Sequence, residues 1–317
     1  MNPMPLLFYP TSSAFLDDES SFLEHVDVGL EGMINNTHFL TSPKDALDFI
    51  EKYGIASLNH TDGVRREENS EGVEECILSI QTQNLHQRMR DSKTSQAVLT
   101  AVVDYHMGDI NGLACCERIK NPFVQKILLT AVADEQMAIE ALNHGWIDQY
   151  VRKQDPQMLS KLAAAIRRAQ RQGFSKLTQG LHFAITQTPE DTAIGDPIFE
   201  NYFSELIESH QIVEYYLIEN MGSFLLVDAH GKRSCLFTQT QAKAESNLRL
   251  LEDCDMDKKT MSGLGSFRKI ICCPSSKSFV TPSGADCERY LFPAQKLEGR
   301  QTYYLAMTPD LIGHDND

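Results

Sequence analysis

The stretch Ala101–Gly112, AVVDYHMGDING, decides how the rest of the chain is read. Just before and within it, Val98, Leu99, Val102 and Val103 form a mostly apolar run, rich in β-formers and too short for an ordinary helix. That pattern predicts a buried strand. The run stops at Asp104, which puts a carboxylate on the strand's C-terminal tip. In an open parallel sheet, ligands gather outside that edge. After Met107, Gly108 and Asn111-Gly112 are turn formers ahead of a helical segment, Leu113–Ile119. A strand-ending Asp is also a common helix cap, so its partners elsewhere carry the decision.

On the N-terminal side, Ser12–Leu16 reads as a short strand followed by Asp17-Asp18-Glu19. A helix comes next, with Phe22, Leu23, Val26 and Leu30 as its apolar stripe. Thr37–Thr41 is a second strand, and Ser42-Pro43 supplies an N-cap and a first-turn proline for a helix over Lys44–Lys52. A different first strand is open at this point. Leu6–Tyr9 would put Pro10-Thr11 at the strand end and remove the acidic pair, whose carboxylates also simply favour a helix N-terminus. Residues 53–96 form an insertion: Asn59–Gly72 is a polar, charged run, and Ile77, Ile80, Leu85 and Met89 predict a helix near Val73–Arg90.

Beyond Asp104 the alternation continues. Lys126–Leu129 is a strand ending at Thr130, and a helix over Asp134–Asn143 is closed by Gly145. Ile147–Arg152 is the last strand, ending in Lys153. Asp155-Pro156 start a helix whose Leu159, Leu162, Ile166 and Ala169 face inward. Strands alternating with helices predict an α/β fold, a five-stranded parallel sheet wound on both faces.

The spacing Asp-x-x-Met-Gly-x-x-x-Gly from Asp104 to Gly112 resembles the phosphoacceptor segment of two-component receiver domains, although the family usually has Pro at the position of Gly108. The resemblance covers most of residues 12–172, with functional residue types at each strand end. It implies a flavodoxin-like fold with Asp104 as phosphoacceptor. Asp17 and Asp18 would hold Mg²⁺ with Asp104 and the backbone carbonyl of His106. Thr130 and Lys153 would contact the phosphoryl group, and Tyr150 would be the switch aromatic. Gln154 stands where a proline often follows the lysine. The residue types suit that chemistry independently. A carboxylate nucleophile is repelled by phosphate oxygens, which calls for a divalent cation. Clustered carboxylates suit a hard ion such as Mg²⁺, with Lys153 as a point charge and Thr130 as a hydroxyl donor.

At 317 residues, with 42% hydrophobic and 23% charged residues, the chain suits about two domains. The expected division is a receiver domain over 1–172, a linker over 173–197 and an output domain over 198–317. Phe199–Ile207 and Gln241–Leu251 read as helices. Tyr215–Ile218, Phe224–Val227, Cys235–Thr238, Lys269–Cys273, Arg289–Phe292 and Thr302–Met307 read as strands of a mainly antiparallel sheet with helices on one side. Lys258-Lys259 through Gly263, Gly265 and Arg268 is a cationic, glycine-containing loop, a candidate anion site but not a P-loop. The plainer reading is a solvated loop. The eight cysteines form no C-x-x-C pair, so reduced, mostly buried thiols are expected.

Net charge −15 argues against a protein that coats nucleic acid, and no helix-turn-helix pattern appears. No apolar run approaches the ~20 residues of a membrane span. The opening residues do not read as a signal peptide, so a cytoplasmic location is expected. The resemblance implies a response regulator receiving its phosphoryl group from a histidine kinase or phosphotransfer protein. Its unusual output is like that of the regulators of bacterial α-hydroxyketone quorum sensing. A receiver-like scaffold that acts by binding alone is the alternative, and an enzyme with its site in the second half is a third. Dimerisation is expected through residues 134–171, with acid on the earlier elements and base on the later helix.

Overall fold

In the computed structural model, residues 3–55, 96–108, 110–131, 135–251, 258–272 and 288–311 are described. The insertion helix expected over Val73–Arg90 lies outside them. The chain forms two units. Its first strand, β1 (Leu7–Phe8), belongs to the sheet of the second unit, where it pairs antiparallel with Tyr215 and Tyr216. That settles the open choice of first strand in favour of Ser12–Leu16, and with it the place of the acidic pair.

The first unit continues with β2 (Ser12–Leu16), α1 (Ser20–Leu30), β3 (Thr37–Leu40), α2 (Pro43–Tyr53), β4 (Val98–Asp104), α3 (Gly112–Arg118), β5 (Gln125–Thr130), α4 (Glu135–Asn143), β6 (Gln149–Arg152) and α5 (Met158–Ile185). The strands form a parallel sheet in the order β3-β2-β4-β5-β6. All seven residues of β4 are buried, as expected of a central strand covered on both faces. Alternation along the strands divides the core. Ala101, Val103 and Leu128 pack with Ala46 and Ile50 of α2, Cys115 and Cys116 of α3, and Ala138 and Ala141 of α4. Val102, Ile127 and Leu129 point the other way, to Leu23, Val26 and Leu30 of α1 and Leu162 and Ile166 of α5. Each fully buried Leu or Ile side chain contributes about 1.5–3 kcal/mol.

Local signals set the helix starts. Ser42 Oγ accepts from Asp45 N at 3.3 Å with Pro43 in the first turn, and Asn111 Oδ1 accepts from Ala114 N at 2.9 Å. Gly145 adopts φ +71°, the conformation expected of the residue that closes α4. The linker expected over 173–197 is corrected. Helix α5 runs on to Ile185, because Phe174, Leu177 and Thr178 continue its buried stripe. Gly173 is no break. A Cβ there would lie 2.9 Å from Phe123 O, so the glycine permits close approach of the helix to that loop.

The second unit contains α6 (Pro197–Ser209), β7 (Ile212–Glu219), β8 (Ser223–Asp228), β9 (Arg233–Thr240), α7 (Gln241–Leu251), α8 (Lys258–Gly265), β10 (Lys269–Ile271), β11 (Leu291–Pro293), β12 (Gln295–Glu298) and β13 (Thr302–Pro309). Its six-stranded sheet runs β1-β7-β8-β9-β13-β12, with a separate β10-β11 pair. Helix α6 packs Phe203 on Tyr215 and Phe224. The register places Gln239 and Tyr304 on the opposite face, where they meet Ile271 and Phe267. The expectation of helices on one side therefore fails. Both Leu236 and Phe237 are buried, and burial of adjacent residues, which point to opposite faces, demands cover on both. Among the described residues no helix is long and apolar enough to cross a membrane.

Candidate functional site

Parallel pairing brings four strand ends level. Leu16 pairs with Val103, Asp104 with Leu129, and Thr130 with Arg152. Asp17 follows β2, Asp104 ends β4, Thr130 ends β5 and Lys153 follows β6, so all four stand at one edge of the sheet. From β2 the chain steps outward to β3 on one side and then back to β4 on the other. The site therefore sits where an open α/β sheet leaves its crevice.

Asp17, Asp18 and Asp104 bring carboxylate oxygens within 4.8 Å of one another, with Asp17 and Asp104 buried and Asp18 exposed. Asp17 is oriented by its own backbone: Glu19 N donates to Asp17 Oδ1 at 2.9 Å. Lys153 Nζ donates to Asp17 Oδ2 at 2.7 Å and lies 2.9 Å from Asp104 Oδ1. Burial pushes the Asp104 carboxyl above its ordinary pKa, against the hydrogen bond and charge of Lys153, and the Asp17 charge adds to the rise. Burial works against the Lys153 ammonium, but the hydrogen bonds and charges of Asp17 and Asp104 outweigh it and raise its pKa.

Glycines shape the loop between β4 and α3. Gly112 N donates to Tyr105 O at 2.8 Å, and a Cβ at Gly112 would fall 1.9 Å from Asp104 O. The second glycine of the motif is thus required by the backbone of the Asp104 residue itself. Gly108 adopts φ +44°, close to Asp18, a conformation closed to proline.

The all-oxygen donor set fits a hard divalent cation. Three carboxylates and one ammonium leave a formal charge of −2 at the site. The His106 side chain is exposed, edge-on to Tyr105, two residues past Asp104. Thr130 is fully buried, and its hydroxyl donates to Ala131 O at 3.0 Å, so its own loop holds it. Tyr150 is half-buried, in register with Leu128, on the core shared with α2, α3 and α4.

The candidate anion loop of the second half is corrected. Lys258–Gly265 is helix α8, and Gly263 O accepts from Arg268 N at 3.0 Å. Gly263 and Gly265 thus lie at a helix C-terminus, which presents carbonyls and the negative end of the dipole rather than amides. The sequence reading assigned Phe22 to the core and missed its second contact: Lys153 Nζ stands 4.2 Å from the ring centroid. The available signal was a large aromatic in the first turn after an acidic pair.

The five-stranded parallel sheet with helices on both faces is a receiver-like fold. Over its length the chain is similar to the response regulator LqsR of Legionella pneumophila, at 28% identity and a TM-score of 0.73, covering 96% of this chain and 89% of that one. A receiver domain protein from Clostridium thermocellum matches 50% of this chain and 93% of its own, at 20% identity and TM-score 0.33. One from Methanospirillum hungatei matches 53% and 98%, at 16% identity and TM-score 0.34. No family model matches the chain, and no curated protein does.

Proposed function

We propose that this protein is a phosphorylatable response regulator in which Asp104 accepts a phosphoryl group and thereby controls the second unit. The observation that supports this best is the meeting of Asp17, Asp18, Asp104 and Lys153 at one sheet edge. An Asp104 carboxylate oxygen attacks phosphorus. The bond to the donor nitrogen or oxygen breaks, the leaving group takes up a proton, and an acyl phosphate forms. Asp17 and Asp18, with Asp104 and the His106 carbonyl, would hold Mg²⁺, which neutralises charge between nucleophile and phosphate. Lys153 stands ready to pair with a phosphoryl oxygen once released from Asp17. Thr130 exchanges its Ala131 bond for one to the phosphoryl group, and Tyr150 moves into the space vacated.

The donor on this reading is a histidine kinase or phosphotransfer protein in the cytoplasm, in a pathway of the α-hydroxyketone quorum-sensing kind. The output acts through a target other than a nucleic-acid duplex. Dimerisation through residues 134–171 belongs to the same proposal. Met137, Ile139 and Trp146 are exposed apolar side chains within that stretch. Lys161 pairs with Asp155, Asp148 with Lys176, and Arg167 donates to Met33 O within the chain, which leaves Arg168 and Arg171 as the basic contacts to test. Intact-mass analysis after incubation with a small phosphodonor and Mg²⁺ tests the central claim. A phosphoryl mass gain absent from Asp104→Asn is expected. No gain in the unaltered protein overturns it in favour of a receiver-like scaffold.

A further inference from the structure

Lys153 carries three N–H donors on a compact ammonium. One donates to Asp17 at 2.7 Å, and Asp104 stands 2.9 Å away. Against the same ammonium lies the ring of Phe22, its centroid 4.2 Å from Nζ. That ring is itself fixed. Phe22 N donates to Glu19 O at 3.1 Å in the first turn of α1, and the side chain packs half-buried on the core formed with Leu23, Val26 and Leu162. An aromatic face attracts an ammonium through its quadrupole, yet it offers no lone pair to a hard cation. It therefore favours lysine over metal at the same place.

We propose that Phe22 is a positioning residue: its ring braces the Lys153 ammonium beside Asp17 and Asp104. The brace has two consequences of opposite sign. Asp17 Oδ2 is held by Lys153 and is also one of the three carboxylates available to a divalent cation, so ammonium and metal compete for it. A braced ammonium returns to Asp17 more readily than a hydrated, mobile one, which weakens metal binding. The same restraint keeps Lys153 within reach of a phosphoryl oxygen on Asp104, which speeds transfer. Only this second effect rests on the phosphoacceptor reading.

The test uses the full chain with Phe22→Leu, Phe22→Met and Phe22→Tyr. Three quantities are read: the rate of Lys153 acetylation by acetic anhydride, mapped by peptide mass; the Mg²⁺ dissociation constant from calorimetry; and the rate of phosphorylation by a small phosphodonor. Loss of the ring is expected to raise Lys153 acetylation and tighten Mg²⁺ binding by about three- to tenfold each, and to slow phosphorylation by a similar factor. Phe22→Tyr keeps the ring and is expected to stay within about twofold of the unaltered protein. General loosening of the site would weaken Mg²⁺ binding and phosphorylation together. The proposal is overturned by that pattern in both ring-less variants, or by acetylation and Mg²⁺ affinity that do not change. If the unaltered protein accepts no phosphoryl group, the phosphoacceptor reading fails, while acetylation and Mg²⁺ binding still decide the role of Phe22.

Discussion

Adding one methyl group at Gly112 is expected to damage the site more than its size suggests. The new Cβ would lie 1.9 Å from the Asp104 carbonyl oxygen, 2.8 Å from the carbonyl carbon and 3.1 Å from Tyr105 Cα. All three are backbone atoms, so none can swing aside as a side chain would. Without that neighbour, Gly→Ala at a helical position stabilises by about 0.5–1 kcal/mol. Optimal separation of non-bonded carbons is about 3.5–4.0 Å, so the end of β4 or the start of α3 has to move by more than an ångström. Overpacking that side chains can absorb costs about 1–3 kcal/mol. A clash confined to backbone belongs at the upper end, which leaves Gly112→Ala destabilised by a net ~2 kcal/mol or more. Because the displaced atom is the Asp104 carbonyl, Mg²⁺ binding is expected to weaken as well. Urea denaturation followed by circular dichroism, with Mg²⁺ calorimetry on the same sample, measures both. A variant as stable as the unaltered protein, with unchanged Mg²⁺ affinity, refutes the reasoning.

Asp196 is buried, caps α6 through Ile198 N and accepts from Tyr303 Oη at 2.9 Å; Asp196→Ala is expected to cost about 2–4 kcal/mol in urea denaturation. The Lys153 pKa is raised by folding, so its stabilising contribution is complete below the ordinary lysine value of ~10.4 and is lost as pH rises through the higher folded value. The stability difference between the unaltered protein and Lys153→Met is therefore expected to be flat through neutral pH and to shrink as pH rises into alkali. Burial pushes the Cys116 and Cys235 thiols up to about 12, so neither is expected to take up iodoacetamide at mildly alkaline pH until the chain is unfolded, as read by peptide mass.

The strand ends of the first unit were legible because each apolar run stops at a polar residue, and parallel pairing then makes successive ends neighbours. Asp17, Asp104, Thr130 and Lys153 stand at one sheet edge for that reason. Features that depend on a partner distant in the chain were not legible. The linker expected from residue 173 is helix instead, and the glycine that opens it is explained only by Phe123 lying against it. Gly263 and Gly265 read as part of a solvated loop and a candidate anion site, although the segment is helical and Leu264 between them is buried with Ile271 and Leu291. Strand β12 carries mostly exposed residues and no apolar alternation, so only its pairing with β13 reveals it. Phe22 fits a helix stripe, and its place in the first turn after an acidic pair is the one local hint of Lys153, 131 positions later.

The two-residue strand β1 has a consequence for how the chain can be divided. Leu217 N donates to Leu6 O at 2.8 Å, Phe8 stacks on Tyr215, Tyr9 stacks on Tyr216, and Leu6 is fully buried. Most of the first unit thus lies, in sequence, between the first strand of the second unit and its remainder. Cutting the chain within α5, near residue 179, separates the first unit from an incomplete second unit whose β7 edge is bare. Such an edge, with its row of unpaired backbone groups and two tyrosines, is a template for self-association. A shortened protein that starts near residue 179 is thereby a different object from the same residues in the whole chain. The second sheet closes on its N-terminal side only when residues 6–9 are supplied, joined to the receiver or as a separate peptide.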